Sequence, residues 1–236
     1  MLFRSIIAID NWVDELLLIN SALNTDDEMS AVDIETLLND IESSQLLGDG
    51  KERILVEIAA HFNSNIDPST TSIDETQYSY EKALLLSIVE NKDMIDDISD
   101  PLFEISTFTN SNITILGGII DDASASVLFY DLVEEAVGDL FVNYGINYTS
   151  SLEDGIPWEE EILILKEIND VSGSISDSTD LANLLEKVGQ STILADDKWN
   201  ILQDIVDDLS IGYSVNESNG WEVESANIVL AYEAMI

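Results

Sequence analysis

The feature that most constrains this chain is that it is written more than once. "LLNDIESSQLLGDGKERILVEI" from Leu37 and "LLEKVGQSTILADDKWNILQDI" from Leu184 pair without a gap. The pairing sets Ile41 on Val188, Ser44 on Ser191, Leu46 on Ile193, Lys51 on Lys198 and Ile58 on Ile205. Upstream, "WVDELLLINSAL" from Trp12 matches "WEEEILILKEIN" from Trp158, with Glu15 on Glu161, and "WEVESANIVLA" starts the pattern again at Trp221 with Glu224. A middle copy reads from Tyr80 as "YEKALLLSIVEN", with Ala83 where the others have Glu. It continues as "FTNSNITIL" from Phe108, with Ser111 in the place of Ser44, and as "SVLFYDLVEEAV" from Ser126; extra residues around "GGIIDDASA" lengthen its second connection. Such a unit is longer than the roughly 20–50 residues of the familiar solenoid repeats, which predicts a small helical module rather than a helix pair.

Within a unit the apolar residues recur with helical period. Trp12, Leu16, Ile19 and Leu23 fall at four-three-four spacing, which lines one face of an α-helix. A second helix is predicted around Ile34, Leu37, Leu38 and Ile41, or Leu181, Leu184, Leu185 and Val188. A third carries Ile54, Leu55 and Ile58, or Ile201, Ile205 and Leu209, with Asp49 or Asp196 and Asp197 as its expected N-caps. The aromatic packs over the first turn of helix one, and the Glu three positions on faces the unpaired amides and the positive end of the helix dipole. Trp12, Glu15, Tyr80, Trp158, Glu161, Trp221 and Glu224 are thus structural repeat positions; chemistry would need a partner acid or base at matched spacing, and none repeats beside them.

The expected fold is all-α: a tandem array of about three three-helix units and part of a fourth. Its segments are 1–11 as a lead-in, 12–79, 80–157 and 158–220 as repeats, and 221–236 as the first helix of another. The connections are rich in Asn, Ser, Asp, Gly and Pro. "NITILGGII" from Asn112 and "FVNYGINYT" from Phe141 have the β-branched content of short hairpins, although the repeat alignment argues against a true sheet.

Composition narrows the function. With 48 acidic against 8 basic residues and a formal charge of −40, the surface repels nucleic-acid phosphates and anionic headgroups, and no basic stripe interrupts it. Yet 45% hydrophobic residues supply an ample core, so this is no disordered acidic tail. The absence of cysteine excludes disulfides and thiolate chemistry. With a single histidine, His61, neither a zinc-protease motif nor a histidine triad can be assembled. "LGGII" and "GDGK" lack the spacing of a phosphate loop. The apolar start "MLFRSIIAID" is too short for a signal segment, and no run is long enough to span a membrane. Acidic clusters at helix boundaries, such as "NTDDE" and "DDISD", would suit calcium but match no EF-hand loop.

The stretches Trp12 to Leu23, Trp158 to Ile168 and Trp221 to Ala231, with "ESSQLL" and "GQSTIL", resemble the all-helical repeats of very large repetitive surface proteins of low-GC bacteria, including wall-less ones. That resemblance implies an extracellular or cell-surface structural role and brings no catalytic residues. The expectation is a non-enzymatic module of a larger acidic repeat protein, working through protein contacts with neighbouring repeats or further copies of itself, without cofactor. The alternatives are an acidic cytoplasmic scaffold or calcium-responsive binding protein, and, behind both, a hydrolase using carboxylates alone. Val223, Val229, Leu230, Met235 and Ile236 make the 221–236 helix unusually apolar, which marks it as an expected interface.

Overall fold

A computed structural model describes residues 3–26, 28–44, 46–148 and 157–236, with side chains from residue 13 onward. The described residues are helical with no strand, as the apolar periodicity requires. The helices are α1 (Phe3–Leu23), α2 (Ala31–Ser43), α3 (Lys51–Ala59), α4 (Glu75–Glu90), α5 (Lys92–Ile98), α6 (Asn110–Ala123), α7 (Tyr130–Asn143), α8 (Trp158–Asn169), α9 (Val171–Ser174), α10 (Ser178–Gln190), α11 (Lys198–Asp208) and α12 (Trp221–Glu233). Helix α1 runs unbroken from Phe3 across the boundary expected at residue 12, and the boundary expected at residue 80 falls inside α4. The reason for the second shift is local. Asp74 accepts from the Thr76 and Gln77 amides while the Gln77 side chain accepts from the Asp74 amide, a reciprocal cap that starts the helix at Glu75.

The chain forms two compact units, the first from residues 1–95 and 122–133 and the second from 96–121 and 134–236. In the first, α2 packs against α1, α3 and α4, and α3 also meets α1 and α4. Of the residues the period predicts, Ile34, Leu38, Ile41, Leu55 and Ile58 have no exposed surface, Ile54 is half-buried, and Val56 and Leu85 complete the core. In the second, α10 packs against α8, α11 and α12, burying Leu181, Leu185, Val188, Leu202 and Ile205 completely.

Among the described residues no hairpin forms at either stretch of β-branched content. Residues 112–120 lie within α6, and 141–143 close α7 before a turn at Gly145, whose φ is 75°. Burial overrides the strand-like composition here: Leu116, Ile119, Ile120 and Ala123 are buried at the spacing of Ile34, Leu37, Leu38 and Ile41. The residues of "GGIIDDASA" therefore lie largely within α6, and α5 and a 3₁₀ turn at Ile105–Thr107 stand between α4 and α6.

All eight basic residues fall within helices, namely Arg4, Lys51, Arg53, Lys82, Lys92, Lys166, Lys187 and Lys198. Several hold elements together. Lys82 of α4 bridges to Glu42 and Asn39 of α2 at 2.9 and 2.8 Å, Lys187 of α10 to Glu167 of α8 at 2.8 Å, and Lys166 donates to the Phe108 carbonyl at 2.5 Å. The Lys82 hydrogen bond holds the Glu42 carboxyl below the usual carboxylate range.

Candidate functional site

Three buried glutamates, Glu15, Glu81 and Glu161, reach the same kind of partner. Glu15 in α1 accepts from the Ser44 hydroxyl, Glu81 in α4 from Ser126 at 2.7 Å, and Glu161 in α8 from Ser191 at 2.6 Å. Glu81 and Glu161 are 1% and 0% exposed, so each carboxylate is removed from water and depends on such donors. Each serine is doubly used, because its oxygen also accepts backbone amides two or three residues on. Ser44 takes those of Leu46 and Leu47, Ser126 those of Leu128 and Phe129, and Ser191 that of Leu194. The result is a clasp: helix one holds, through one carboxylate, the serine that folds the turn after helix two.

This geometry corrects two sequence expectations. The glutamates do not cap their own helices, since they point into the unit toward serines 29, 45 and 30 residues downstream. Nor do the expected aspartates cap helix three. Gly50 and Asp197 occupy the N-cap positions of α3 and α11 without a side-chain cap bond, Asp49 lies in a 3₁₀ turn, and the Asp197 carboxylate accepts instead from Asn147.

In the segment read as a middle copy, the buried aromatic and carboxylate lie two positions before the expected ones. Tyr80 is 37% exposed, and its hydroxyl donates to the Asp122 carbonyl, whereas Tyr78 is 2% exposed and lies three residues before Glu81. Tyr78 and Glu81 thus fill the aromatic and Glu places given to Tyr80 and Ala83, and Ser126 fills the one given to Ser111. The signal is present as "YSYE" and as Ser-x-x-Phe at 126–129, which parallels Ser-x-x-Leu at 44–47 and 191–194.

The aromatics sit in distinct pockets. Lys51 stands 4.9 Å over the Tyr78 ring, a cation–π contact, while burial and then the nearby Glu42 push the phenol up. Trp158, 1% exposed, meets the rings of Phe141 and Tyr148, each at 6.4 Å between centroids. Trp221 donates to the Leu185 carbonyl at 3.2 Å, packs edge-on to Trp199 and lies 5.8 Å from the ammonium of Lys198, the residue matched to Lys51. Small residues admit these contacts: a Cβ on Gly189 would stand 2.1 Å from the Trp221 indole nitrogen, and one on Gly117 would stand 2.6 Å from the Glu159 amide. The Trp12 side chain lies outside the described residues.

Glu224 has no serine clasp; it accepts instead from Tyr213, the Asn216 amide and Asn219. Asn219 first, and then the Asn216 amide and Tyr213, hold its carboxyl below the ordinary range against the cost of burial. A depressed carboxyl stabilises the fold above its unfolded value of about 4.3, and that contribution disappears as pH falls through the folded value. Acid titration of tryptophan emission should show this step below about pH 4, and Glu224→Gln should remove it. An unchanged acid profile in the variant would contradict the assignment.

Between α10 and α12 runs an open groove of about 740 Å³, floored by Gly189, Trp221, Ala226 and Val229. Of the expected interface residues, Val229 lines this groove, as does Leu230, which is nevertheless 61% exposed; Val223, Met235 and Ile236 are 52%, 49% and 73% exposed. Helix α12 therefore covers α10 with one face while presenting apolar side chains on another. His61 is exposed in the turn after α3. Among the described residues no three His, Asp or Glu side chains converge as a metal site, and no helix is long and apolar enough to cross a membrane. No protein family, curated protein or solved structure matches the chain.

Proposed function

We propose that this chain is a stretch of a tandem helical array, a non-enzymatic structural module of a larger acidic repeat protein that acts through protein contacts at a cell surface or in a filament. The observation that carries the reading is the recurrence of the clasp. An aromatic, a Glu three residues on and a distant Ser recur as Tyr78, Glu81 and Ser126 and as Trp158, Glu161 and Ser191, and the Glu15–Ser44 bond repeats the pair. On this reading the units consist of α1, α2 and α3, then α4, α6 and α7, then α8, α10 and α11, with α12 opening another.

A second regularity supports the same reading. Helix one of a unit lies on helix two of the unit before: α4 on α2 through Lys82, α8 against Gly117 and Thr114 of α6, and α12 on α10 through Trp221. Such nearest-neighbour stacking is how repeat arrays bury a core that no single unit closes. The buried polar groups of the clasps bond one another and the backbone, a role in holding the chain that requires no substrate. The charge of −40 suits a protein that stays dispersed in an ion-rich medium.

The native product tests the proposal. Intact mass should exceed the 26.1 kDa of this chain, with further aromatic-x-x-Glu and Ser-x-x-Leu copies in the flanking sequence. A native product of 26.1 kDa that makes no protein contacts would overturn it.

A further inference from the structure

The helix pairs α2–α4 and α10–α12 share a register but differ at one place. With Tyr78 on Trp221 and Glu81 on Glu224, Lys82 of α4 falls on Ser225 of α12. With Leu37 on Leu184, the partners of Lys82, Asn39 and Glu42, fall on Glu186 and Gly189 of α10. Between α2 and α4 the aliphatic arm of Lys82 lies in the junction, its side chain 14% exposed, and its ammonium donates to Asn39 at 2.8 Å and to Glu42 at 2.9 Å. On α8 the same place is held by Ile162, which is fully buried. Ser225 has no arm to put there.

The open groove between α10 and α12 is the result. Ser225, Glu186 and Gly189, the counterparts of Lys82, Asn39 and Glu42, all line it. The Ser225 hydroxyl is buried without a hydrogen-bond partner among the described residues, a costly state for a polar group. A side chain of α4 itself fills the first junction, so the difference lies within the helix pair, at residue 225. The volume of about 740 Å³ falls among those of small-molecule sites, roughly 300–1,000 Å³. Its walls are aliphatic and anionic. Ala226, Val229 and Leu230 supply apolar surface, Glu186, Glu222 and Glu233 supply carboxylates, and none of the lining residues is basic. Glu186 accepts from Gln190 at 3.1 Å and Glu233 from Ser178 at 2.9 Å, both neutral donors that leave the carboxylate charge in place.

We infer that this groove binds a linear aliphatic polyamine, which brings as a free ligand the arm that Lys82 brings to the first junction. One ammonium donates to Glu186 and to the Ser225 oxygen, charge-assisted bonds stronger than neutral ones. The methylenes lie over Ala226 and Val229, as a lysine stem covers apolar surface, and a further ammonium meets Glu222 or Glu233. A compact polyvalent cation matches the charge of the groove but not its aliphatic wall. The inference uses the register of two helix pairs and stands whether or not the chain belongs to a larger protein.

Isothermal titration of the full-length protein with spermidine tests it, at about 0.15 M sodium chloride to screen diffuse binding to the acidic surface. A single saturable site is expected. Ser225→Lys, which fills the groove from within as Lys82 does, should weaken binding by about ten-fold or more and raise the thermal midpoint. Ala226→Phe blocks the groove without changing charge and should weaken binding comparably. Glu186→Gln should weaken it several-fold, whereas Glu35→Gln, an equal change of charge on the exposed face of α2, should leave it unchanged. Circular dichroism verifies that each variant is folded. Hexaamminecobalt(III), which carries the charge of spermidine without its methylenes, should be indifferent to Ala226→Phe. Absence of a saturable site, or spermidine binding that survives both Ser225→Lys and Ala226→Phe, overturns the inference. Equal affinity for hexaamminecobalt(III), lost in the same variants, overturns it as well, since charge alone would then account for binding.

Discussion

Trp158→Ala should lower the unfolding free energy by about 3–5 kcal/mol, the range for a large buried aromatic reduced to alanine. Its ring is 1% exposed against Phe141 and Tyr148, and these neighbours are themselves large groups that cannot collapse readily into the vacancy. Urea titration followed by far-ultraviolet circular dichroism measures the loss. Trp221→Ala should lose less, because that indole is only half-buried and borders an open groove. A loss below about 1 kcal/mol at Trp158 would show that it does not anchor α8.

Cutting the middle clasp should be nearly as damaging. Glu81→Ala removes the acceptor for both the Ser126 hydroxyl and the Val127 amide, each 2.7 Å away, and stranding buried donors costs about 2–3 kcal/mol. Ser126→Ala strands the Leu128 and Phe129 amides and leaves the carboxylate without its hydroxyl donor. Since each single change orphans what the other would remove, the double variant should lose less than the sum, with a coupling of about 1–2 kcal/mol. The same cycle at Glu161 and Ser191 should return a similar coupling; strictly additive losses at both sites would mean that the pairs do not act as clasps.

Much of this fold is legible in the sequence because burial obeys helical period. Ile34, Leu37, Leu38 and Ile41 fall on one face by their spacing alone, and their counterparts at 181–188 are buried in the same way. The middle copy misleads for two physical reasons. Two tyrosines stand two residues apart in "YSYE", and helical period does not say which faces inward when the extra residues that follow destroy the register. The run "NITIL" carries β-branched residues, whose preference for strands is weaker than the gain from burying Leu116, Ile119 and Ile120 on one face. The clasp is half legible. The recurring Glu is visible, but its partner lies across a connection of variable length, and sequence spacing alone favours the nearest unpaired donors, the amides of its own helix.

The placement of the basic residues has a consequence for how the protein is digested. Trypsin-like proteases cut after Lys or Arg and need several residues of extended chain, which connections normally provide and helices do not. Here every Lys and Arg lies inside a helix, and the connections offer only acidic, small and neutral side chains. Cleavage by such enzymes must wait for a helix to open, so digestion is set by local unfolding and not by loop exposure. The acidic composition thus leaves the connections without the residues these enzymes recognise.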